Sequence, residues 1–276
     1  MSLKYAYLGP AGTFTQAALQ KIADSSDELI PYANVTAALN AVRSGECAKA
    51  LVPIENSVEG VVARTLDELA IGDALVITAE TTLPVSFSLM SLDNKDPKSI
   101  NSIATHPHAE SQCREYIAKN FPNAQVIETA STAAAAKGLS KGDYDAAIGA
   151  AIAAKNYQLK IIAEDIGDNT SAVTRFVVVE KPGKSPAATG KDRTSLAVFI
   201  AIDHAGALLE ILNEFAKHQV NLSFIQSRPT GSQLGHYHFI IDAEGHIDDK
   251  PVAAALAGLK EICEDIRFLG SYPQAK

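Results

Sequence analysis

A threonine and an arginine stand at the start of an apolar strand, a place suited to chemistry on an anionic substrate. The triplet Thr174-Arg175-Phe176 follows a polar loop and leads into the β-rich run Phe176-Val177-Val178-Val179. An arginine guanidinium binds carboxylates through a planar fork of fixed geometry, and a threonine hydroxyl can donate one hydrogen bond to a departing oxygen. A strand edge with one surface arginine is the simpler interpretation, so the triplet needs support from elsewhere in the chain.

A second polar group follows an apolar strand predicted over residues 49–53. It has the sequence Pro53-Ile54-Glu55-Asn56-Ser57-Val58-Glu59-Gly60. Amide, hydroxyl and carboxylate groups are costly to bury without partners, and they suit a wall that hydrogen-bonds a polar ligand. The alternative is a capped start to the helix predicted over residues 62–70, and the two roles are compatible.

Two further segments place polar residues where a strand meets a helix. The turn Gly9-Pro10-Ala11-Gly12-Thr13 precedes a helix predicted over residues 14–23; backbone N–H groups at such a turn bind anions, although a tight turn that needs glycine is an equally simple reading. In the segment 105–113, Thr105 is expected to face a cleft and Gln112 to lie one to two turns into a helix over 109–120. His106 and His108 are interpreted as packed or solvated side chains, and two histidines alone are too few for a metal site.

Composition excludes several classes of protein. The chain has 276 residues, is 47% hydrophobic and carries a formal net charge of -8, which argues against a nucleic-acid surface. It lacks a run of 18 apolar residues and an apolar signal-peptide core near its start, so we expect neither a membrane span nor export. The three cysteines, Cys47, Cys113 and Cys263, are odd in number and far apart, which favours reduced thiols in the cytoplasm.

The predicted elements explain how these polar segments come together. Strands alternate with helices up to about residue 162, which indicates an α/β fold with parallel sheets in two lobes, residues 4 to about 80 and 84 to about 162. The strand 176–180 is expected to return to the first lobe, which places the site in the cleft at the carboxyl ends of the strands.

The C-terminal part has a different pattern. A linker rich in proline, glycine and lysine covers residues 181–192. Strands are then predicted at 194–202, 220–227, 235–241 and 265–269, with helices at 206–217 and 251–262. The order βαββαβ indicates an antiparallel, ferredoxin-like α+β sheet with both helices on one face.

With these motifs in this order, nearly the whole chain resembles the bacterial, single-function prephenate dehydratases. The motifs are Gly9-Pro10-x-Gly12-Thr13-Phe14-Thr15, Pro53-Ile54-Glu55-Asn56-Ser57-x-Glu59-Gly60, His106-Pro107 with Gln112-Cys113, and Thr174-Arg175-Phe176. The tail resembles an ACT regulatory domain through Gly206-Ala207-Leu208 and Asn221-Leu222-Ser223-x-Ile225. Gln226 stands where the family usually carries glutamate, which bears on one polar contact at or near the regulatory site.

The resemblance implies a two-lobed, periplasmic-binding-protein-like catalytic domain over residues 1–181 and an ACT domain over 193–276. It implies that prephenate loses water and carbon dioxide to give phenylpyruvate, on the route to phenylalanine, without a metal or other cofactor. Thr174 is then the donor to the departing oxygen, and Arg175 either supplies positive charge or braces the loop. The other implied site residues are Asn56, Thr105 and Gln112 in catalysis and Thr13, Glu55, Ser57 and Phe176 in substrate binding.

The resemblance also implies control by the end product. Phenylalanine is expected to bind between two ACT domains and to inhibit the enzyme, in a homodimer or homotetramer. The implied effector residues are Gly206, Ala207, Leu208, Asn221, Leu222 and Ser227.

The sequence is also compatible with two rival functions. An arogenate dehydratase performs the same chemistry on a substrate with an amino group, and spacing in the sequence cannot separate the two. A non-catalytic small-molecule sensor shares the two-lobed fold, but the chain lacks a signal peptide and a helix-turn-helix segment.

Overall fold

The computed structural model describes residues 2–93, 96–200, 204–230 and 237–275. The strands are β1 (Lys4–Leu8), β2 (Glu28–Tyr32), β3 (Lys49–Asn56), β4 (Gly60–Val61), β5 (Val76–Pro84), β6 (Ser88–Ser91), β7 (Ser102–Thr105), β8 (Gln125–Glu128), β9 (Ala146–Gly149), β10 (Lys160–Ala163), β11 (Val173–Glu180), β12 (Asp192–Ile200), β13 (Leu222–Pro229), β14 (Tyr237–Glu244) and β15 (Cys263–Pro273). The helices are α1 (Phe14–Leu19), α2 (Val35–Ser44), α3 (Ala63–Ala70), α4 (Pro107–Ser111), α5 (Arg114–Asn120), α6 (Thr132–Leu139), α7 (Ala151–Tyr157), α8 (Ala207–Lys217) and α9 (Lys250–Ile262).

The first sheet has the strand order β2-β1-β3-β11-β5, with β4 paired to β3. β1 and β2 are parallel, as the alternation of strands and helices predicts. The strand predicted over 176–180 lies in this sheet, because β11 is the neighbour of β3. This pairing brings two polar segments together that are more than a hundred residues apart in the sequence.

The second sheet has the order β10-β6-β9-β7-β8 and is mixed, so the prediction of a parallel sheet is wrong here. β7 is parallel to β8 and β9, but β6 is antiparallel to β9 and β10. β6 enters this sheet directly from β5 of the first sheet, after three residues, so no crossover helix within the second sheet sets its direction.

The helix predicted over 109–120 is two helices. Pro107 occupies the first turn of α4, where its missing N–H costs little, and the chain breaks at Gln112 and Cys113 before α5 begins. Cys113 is fully buried in the apolar core of the second sheet. Burial raises the pKa of this thiol to about 12, with Asp168 and Glu110 adding to the rise, so Cys113 is a packed thiol and not an activated nucleophile.

The C-terminal sheet has the order β13-β14-β12-β15 and is antiparallel throughout. Side chains from both α8 and α9 pack with the strands in a single apolar core, which confirms the βαββαβ prediction. Residues 201–202 of one predicted strand and 235–236 of another lie outside the described residues. The longest described helix, α9, has 13 residues, and in the part of the chain that the structure describes none is long and apolar enough to span a bilayer.

The chain divides into two compact units. The first comprises Met1–Ala38, Leu51–Val62 and Thr82–Phe176, and the second comprises Leu39–Ala50, Ala63–Thr81 and Val177–Lys276. Within the second unit, α3 and β5 pack with the C-terminal sheet: Gly270 of β15 lies so close to the backbone of Ile77 in β5 that a Cβ atom could not be accommodated there.

Two arginines of the C-terminal sheet make polar contacts with α3 within this second unit. Arg228 donates to both carboxylate oxygens of Asp67 in α3, at 2.8 and 2.7 Å. The Asp67 hydrogen bond raises the pKa of Arg228 above its usual value. Arg267 donates to the carbonyl oxygen of Ala70 at 2.8 Å.

We expect Asp67→Asn to lower the free energy of unfolding by about 1.5 kcal/mol, the lower end of the range for hydrogen bonds to charged groups. Both side chains are mostly shielded from water, being 23% and 29% exposed, so solvent screens the pair only in part. Urea denaturation measures the change. Glu28→Gln is the matched control, because its ion pair with Lys4 is 54% and 56% exposed and such pairs contribute little. Equal effects of the two substitutions would contradict this prediction.

Candidate active site

A cavity of about 370 Å³ lies within the first compact unit and is lined by elements of both of its sheets. This volume is in the range of sites for small molecules. Its polar lining comprises Thr13, Thr15, Asn56, Glu59, His106, His108, Gln112, Ser131, Thr132 and Thr174. Its apolar lining includes Phe14, Val85, Phe87 and Phe176. The cavity therefore combines an aromatic wall with many hydrogen-bonding groups.

Thr174 and Asn56 form the polar centre of this cavity. Asn56 ends β3 and Thr174 is the second residue of β11, and the pairing of these strands places Asn56 Nδ2 2.8 Å from Thr174 Oγ1. The amide orientation is set by Asn56 Oδ1, which accepts from the backbone N–H groups of Val58 and Glu59 at 2.8 and 2.9 Å. Thr174 therefore accepts a hydrogen bond from Asn56, and a hydroxyl that accepts in this way keeps its own proton for donation.

Three helices begin at the cavity wall. Thr13 accepts from the N–H of Gln16 at the start of α1, Ser131 accepts from the N–H of Ala134 at the start of α6, and His106 caps α4. The capping residues Thr13, His106 and Ser131 all line the cavity. Helix N-termini carry partial positive charge and favour bound anions, so the cavity suits a negatively charged ligand.

Glu59, Gln112 and His108 lie together on one side of the cavity. Gln112 Nε2 donates to Glu59 Oε1 at 3.1 Å, and His108 Nδ1 is 3.5 Å from Glu59 Oε2. Glu59 comes from the turn after β3, whereas the other two come from α4 and the residue that follows it. The side chain of Glu59 thus connects the turn after β3 of the first sheet with the segment after β7 of the second sheet.

His106 and His108 line the cavity, and the side chain of His108 is 66% exposed, in agreement with its interpretation as a solvated residue. His106 Nδ1 accepts from the N–H of His108 at 3.2 Å, so its hydrogen lies on Nε2. Burial lowers the pKa of His106, and the neighbouring His108 lowers it further. The sequence signal for their position in the cavity was the pair of ring side chains flanking Pro107, since proline at a helix start predicts that both neighbours lie near the helix N-terminus.

Thr105 and Ser57 do not line the cavity. Thr105, expected to face the cleft, is fully buried, and its hydroxyl donates to the carbonyl oxygen of Ile148 in β9 at 3.0 Å. The cause is the alternation of side chains along β7, which turns this residue into the packed interior of the sheet. Ser57 exchanges two hydrogen bonds with Val173, each of 2.9 Å: its hydroxyl accepts from the N–H and its own N–H donates to the carbonyl oxygen.

Arg175 and Glu55 also lie outside the cavity lining. Arg175 is buried, and its Nε is 3.5 Å from Glu55 Oε2. Side chains alternate along β11, so Thr174 and Phe176 face the cavity while Arg175 points away from it. Of the two roles that the sequence left open for Arg175, this placement favours bracing.

The residues expected to bind an effector lie at two places in the C-terminal sheet and its helices. Gly206 has a φ of 102° and precedes α8, which begins with Ala207. Ala207 lines a small cavity of about 150 Å³ at this helix start, and Leu208 packs against the apolar core. Asn221, Leu222 and Ser227 lie on or next to β13, the strand at the edge of the sheet. The single chain therefore does not gather these six residues into one site.

Nearly the whole chain matches known protein families. A prephenate dehydratase family model matches residues 5–184, and an ACT domain model matches residues 194–261. The prephenate dehydratase of Amycolatopsis methanolica is 44% identical over 273 residues, which cover 99% of this chain and 89% of that protein.

Two solved structures share the fold over nearly the full length. A prephenate dehydratase from Arthrobacter aurescens, in complex with L-Phe, has a TM-score of 0.93 and 49% identity, with 98% of this chain and 90% of that chain covered. GqqA, described as a quorum-quenching acylase, has a TM-score of 0.87 and 26% identity, with 98% of each chain covered.

The matching models, the close relatives and the cavity built around Thr174 and Asn56 agree with one another. The architecture is an α/β region with two sheets, followed by an antiparallel, ferredoxin-like α+β sheet with its two helices. The chain therefore belongs to the prephenate dehydratase family and carries a C-terminal ACT domain.

Proposed function

We propose that this cavity binds prephenate and converts it to phenylpyruvate, with Thr174 as the donor to the departing hydroxyl. The observation that carries the proposal is the hydrogen bond of 2.8 Å from Asn56 Nδ2 to Thr174 Oγ1. In this hydrogen bond the hydroxyl of Thr174 is the acceptor, so its own proton stays available for donation to the substrate. A preorganised donor aimed at charge that develops in the transition state stabilises that state more than the ground state.

The reaction needs little else from the protein. The bond between the ring and its carboxylate breaks, its electron pair enters the ring, and the bond from the opposite ring carbon to the hydroxyl breaks. Carbon dioxide leaves, and the departing hydroxide takes up a proton to become water. Aromaticity of the product drives the step, so its balance requires no redox group, and Thr174 assists by hydrogen bonding because a threonine hydroxyl is a poor acid.

The remaining cavity groups fit a dianionic, half-apolar substrate. The N-termini of α1, α4 and α6 supply positive partial charge for carboxylates, with Thr13 at one of them. Phe176, Phe14 and Phe87 line the apolar side and suit the six-membered ring. We assign Thr105, Glu55, Ser57 and Arg175 to positioning, since their contacts hold β3, β9 and β11 in place.

Turnover of purified protein with prephenate and with arogenate tests this function. We expect phenylpyruvate to form from prephenate at a higher kcat/KM than phenylalanine forms from arogenate. A preference for arogenate would assign the related dehydratase activity instead. Saturable binding of prephenate without turnover would identify a sensor.

An acylase reaction fits this cavity less well. Acyl transfer by a hydroxyl requires a neighbouring base within hydrogen-bond reach. The hydroxyls of Thr13, Ser131 and Thr174 are instead hydrogen-bonded to the carbonyl oxygen of Leu8, the N–H of Ala134 and the amide of Asn56. Cys113 is buried with a raised pKa, so it is also unsuited as the nucleophile.

We further propose that phenylalanine binds at the start of α8 and inhibits the enzyme. Gly206 precedes this helix, and among the described residues no atom lies within 4 Å of a Cβ atom placed on it, so a carboxylate can approach the first-turn N–H groups. Asn221, Leu222 and Ser227 lie on or next to the edge strand β13 and not at the start of α8. A second copy of the chain would have to supply them to the phenylalanine site. Ile225 on β13 and Leu209 on α8 are 43% and 59% exposed, which supports a homodimer or homotetramer. Sedimentation velocity measures this oligomeric state.

We expect phenylalanine to inhibit the wild type and Gly206→Val to reduce its affinity at least tenfold. The valine would block the helix start and would be strained at a φ of 102°. Gly190→Val is the matched control, because Gly190 also has a positive φ, of 83°, and open space around it. Calorimetric titration with phenylalanine measures the affinity of each variant, and a parallel activity assay measures the inhibition. Full inhibition of Gly206→Val would place the effector elsewhere, and activation of the wild type would reverse the proposed regulation.

A further inference from the structure

Glu59 presents a difficulty for the binding of a dianion. Its carboxylate lies in the same cavity that the N-terminus of α6 makes favourable for anions. Like charges at close range repel. A substrate carboxylate and the carboxylate of Glu59 therefore compete for the same region of positive potential in the cavity.

The contacts of Glu59 are those that a substrate carboxylate would make. Gln112 Nε2 donates to one of its oxygens at 3.1 Å, and His108 Nδ1 is 3.5 Å from the other. An amide N–H and a histidine ring at the start of a helix are general carboxylate partners. The resting arrangement also leaves the amide half-satisfied: Gln112 Oε1 is buried without a hydrogen-bond partner within the described ranges.

We propose that Glu59 occupies the position of one substrate carboxylate in the unliganded enzyme and leaves it when substrate binds. Gln112 and His108 are then the carboxylate subsite, and Glu59 is an internal competitor that sets the substrate affinity. This inference rests on the proposed function, because it requires a substrate that carries a carboxylate.

The side chain of Glu59 can leave without disturbing the catalytic pair. Asn56 Oδ1 holds the backbone N–H of Glu59 at 2.9 Å, so the turn itself stays in place while the side chain rotates. That side chain is 35% exposed, and the next residue, Gly60, has open space around it. The Asn56–Thr174 hydrogen bond is therefore independent of where the Glu59 carboxylate points.

The test is the steady-state kinetics of Glu59→Gln and Glu59→Ala with prephenate. We expect KM to fall about three- to tenfold, the factor that corresponds to one hydrogen bond of ordinary net strength, while kcat changes by less than twofold. Glu110→Gln is the matched control, because Glu110 lies in α4 and is paired with Arg114; it removes the same charge and is expected to leave KM within twofold. Calorimetric binding of phenylpyruvate, which keeps one carboxylate, should tighten by a similar factor in the two Glu59 variants.

The outcomes separate this inference from the proposed function. Absence of prephenate turnover by the wild type overturns the function. With a turning-over wild type, an unchanged or raised KM in Glu59→Gln overturns the inference and makes Glu59 a substrate contact. A raised KM for arogenate with an unchanged KM for prephenate would show that Glu59 binds a substrate ammonium group instead. If KM falls equally for Glu59→Gln and Glu110→Gln, the change comes from the net charge alone, and this result also overturns the inference about Glu59.

Discussion

Thr174→Ala is expected to fold like the wild type and to lose about 10²- to 10³-fold in kcat, the usual cost of removing one preorganised donor to developing negative charge. The methyl group of alanine cannot donate to the departing hydroxyl, and Asn56 Nδ2 loses its acceptor at the same time. Thr174→Ser keeps the hydroxyl and should retain more activity than the alanine variant. Steady-state turnover of prephenate measures the three enzymes side by side.

Thr170→Ala is the matched control for this substitution. Thr170 is an exposed threonine in the polar loop before β11, so the same change there should leave kcat within twofold. An alanine variant at 174 within tenfold of the wild type would remove this hydroxyl from the mechanism. Circular dichroism and the unfolding midpoint show whether a loss of turnover reflects chemistry or folding.

Asn56→Asp is expected to lower kcat by about 10²-fold, a cost similar to that of losing the donor itself. The aspartate can still accept from the N–H groups of Val58 and Glu59, so the turn after β3 is preserved. Its second oxygen, however, would accept the proton of Thr174, and that proton would then point away from the substrate. The added negative charge would also oppose a dianion and raise KM.

Asn169→Asp controls for the change of charge and of turn chemistry. Asn169 Oδ1 also accepts a backbone N–H two residues later, from Ser171 at 2.9 Å, and the residue is exposed. We expect turnover within threefold of the wild type for this variant. If Asn56→Asp retains more than a tenth of the wild-type kcat, the amide donor is not what orients the hydroxyl of Thr174.

Elements with strong local signals were predicted well. The bounds of α8 and α9 agree within one residue with the helices predicted over 206–217 and 251–262. Each has a local signal at its start: Gly206 precedes α8, and Pro251 lies in the first turn of α9. β2, α7 and β10 were missed. The Gln112 and Cys113 break between α4 and α5 carries neither glycine nor proline, so no local rule marks it.

The candidate site shows where sequence reasoning stops. Asn56 and Thr174 were both identified, but their hydrogen bond depends on β11 lying beside β3, which is a property of the whole sheet. The orientation of Thr105 depends on the pleat of β7, and a shift of one residue moves a side chain to the opposite face. Glu59 and Gln112 meet only because the two sheets face a common cavity, and no local pattern carries that information.

The packing of α3 and β5 with the C-terminal sheet has a consequence for the exchange of modules between relatives. The linker over 181–192 marks a junction in the sequence, yet Arg228 and Arg193 bind Asp67 and Glu80, which precede that linker by a hundred residues or more. A regulatory domain grafted from another family member would bring its own residues to these contacts. It would fit only if the recipient's α3 and β5 were exchanged with it or already matched, so we expect a working exchange to move these segments together with the C-terminal sheet.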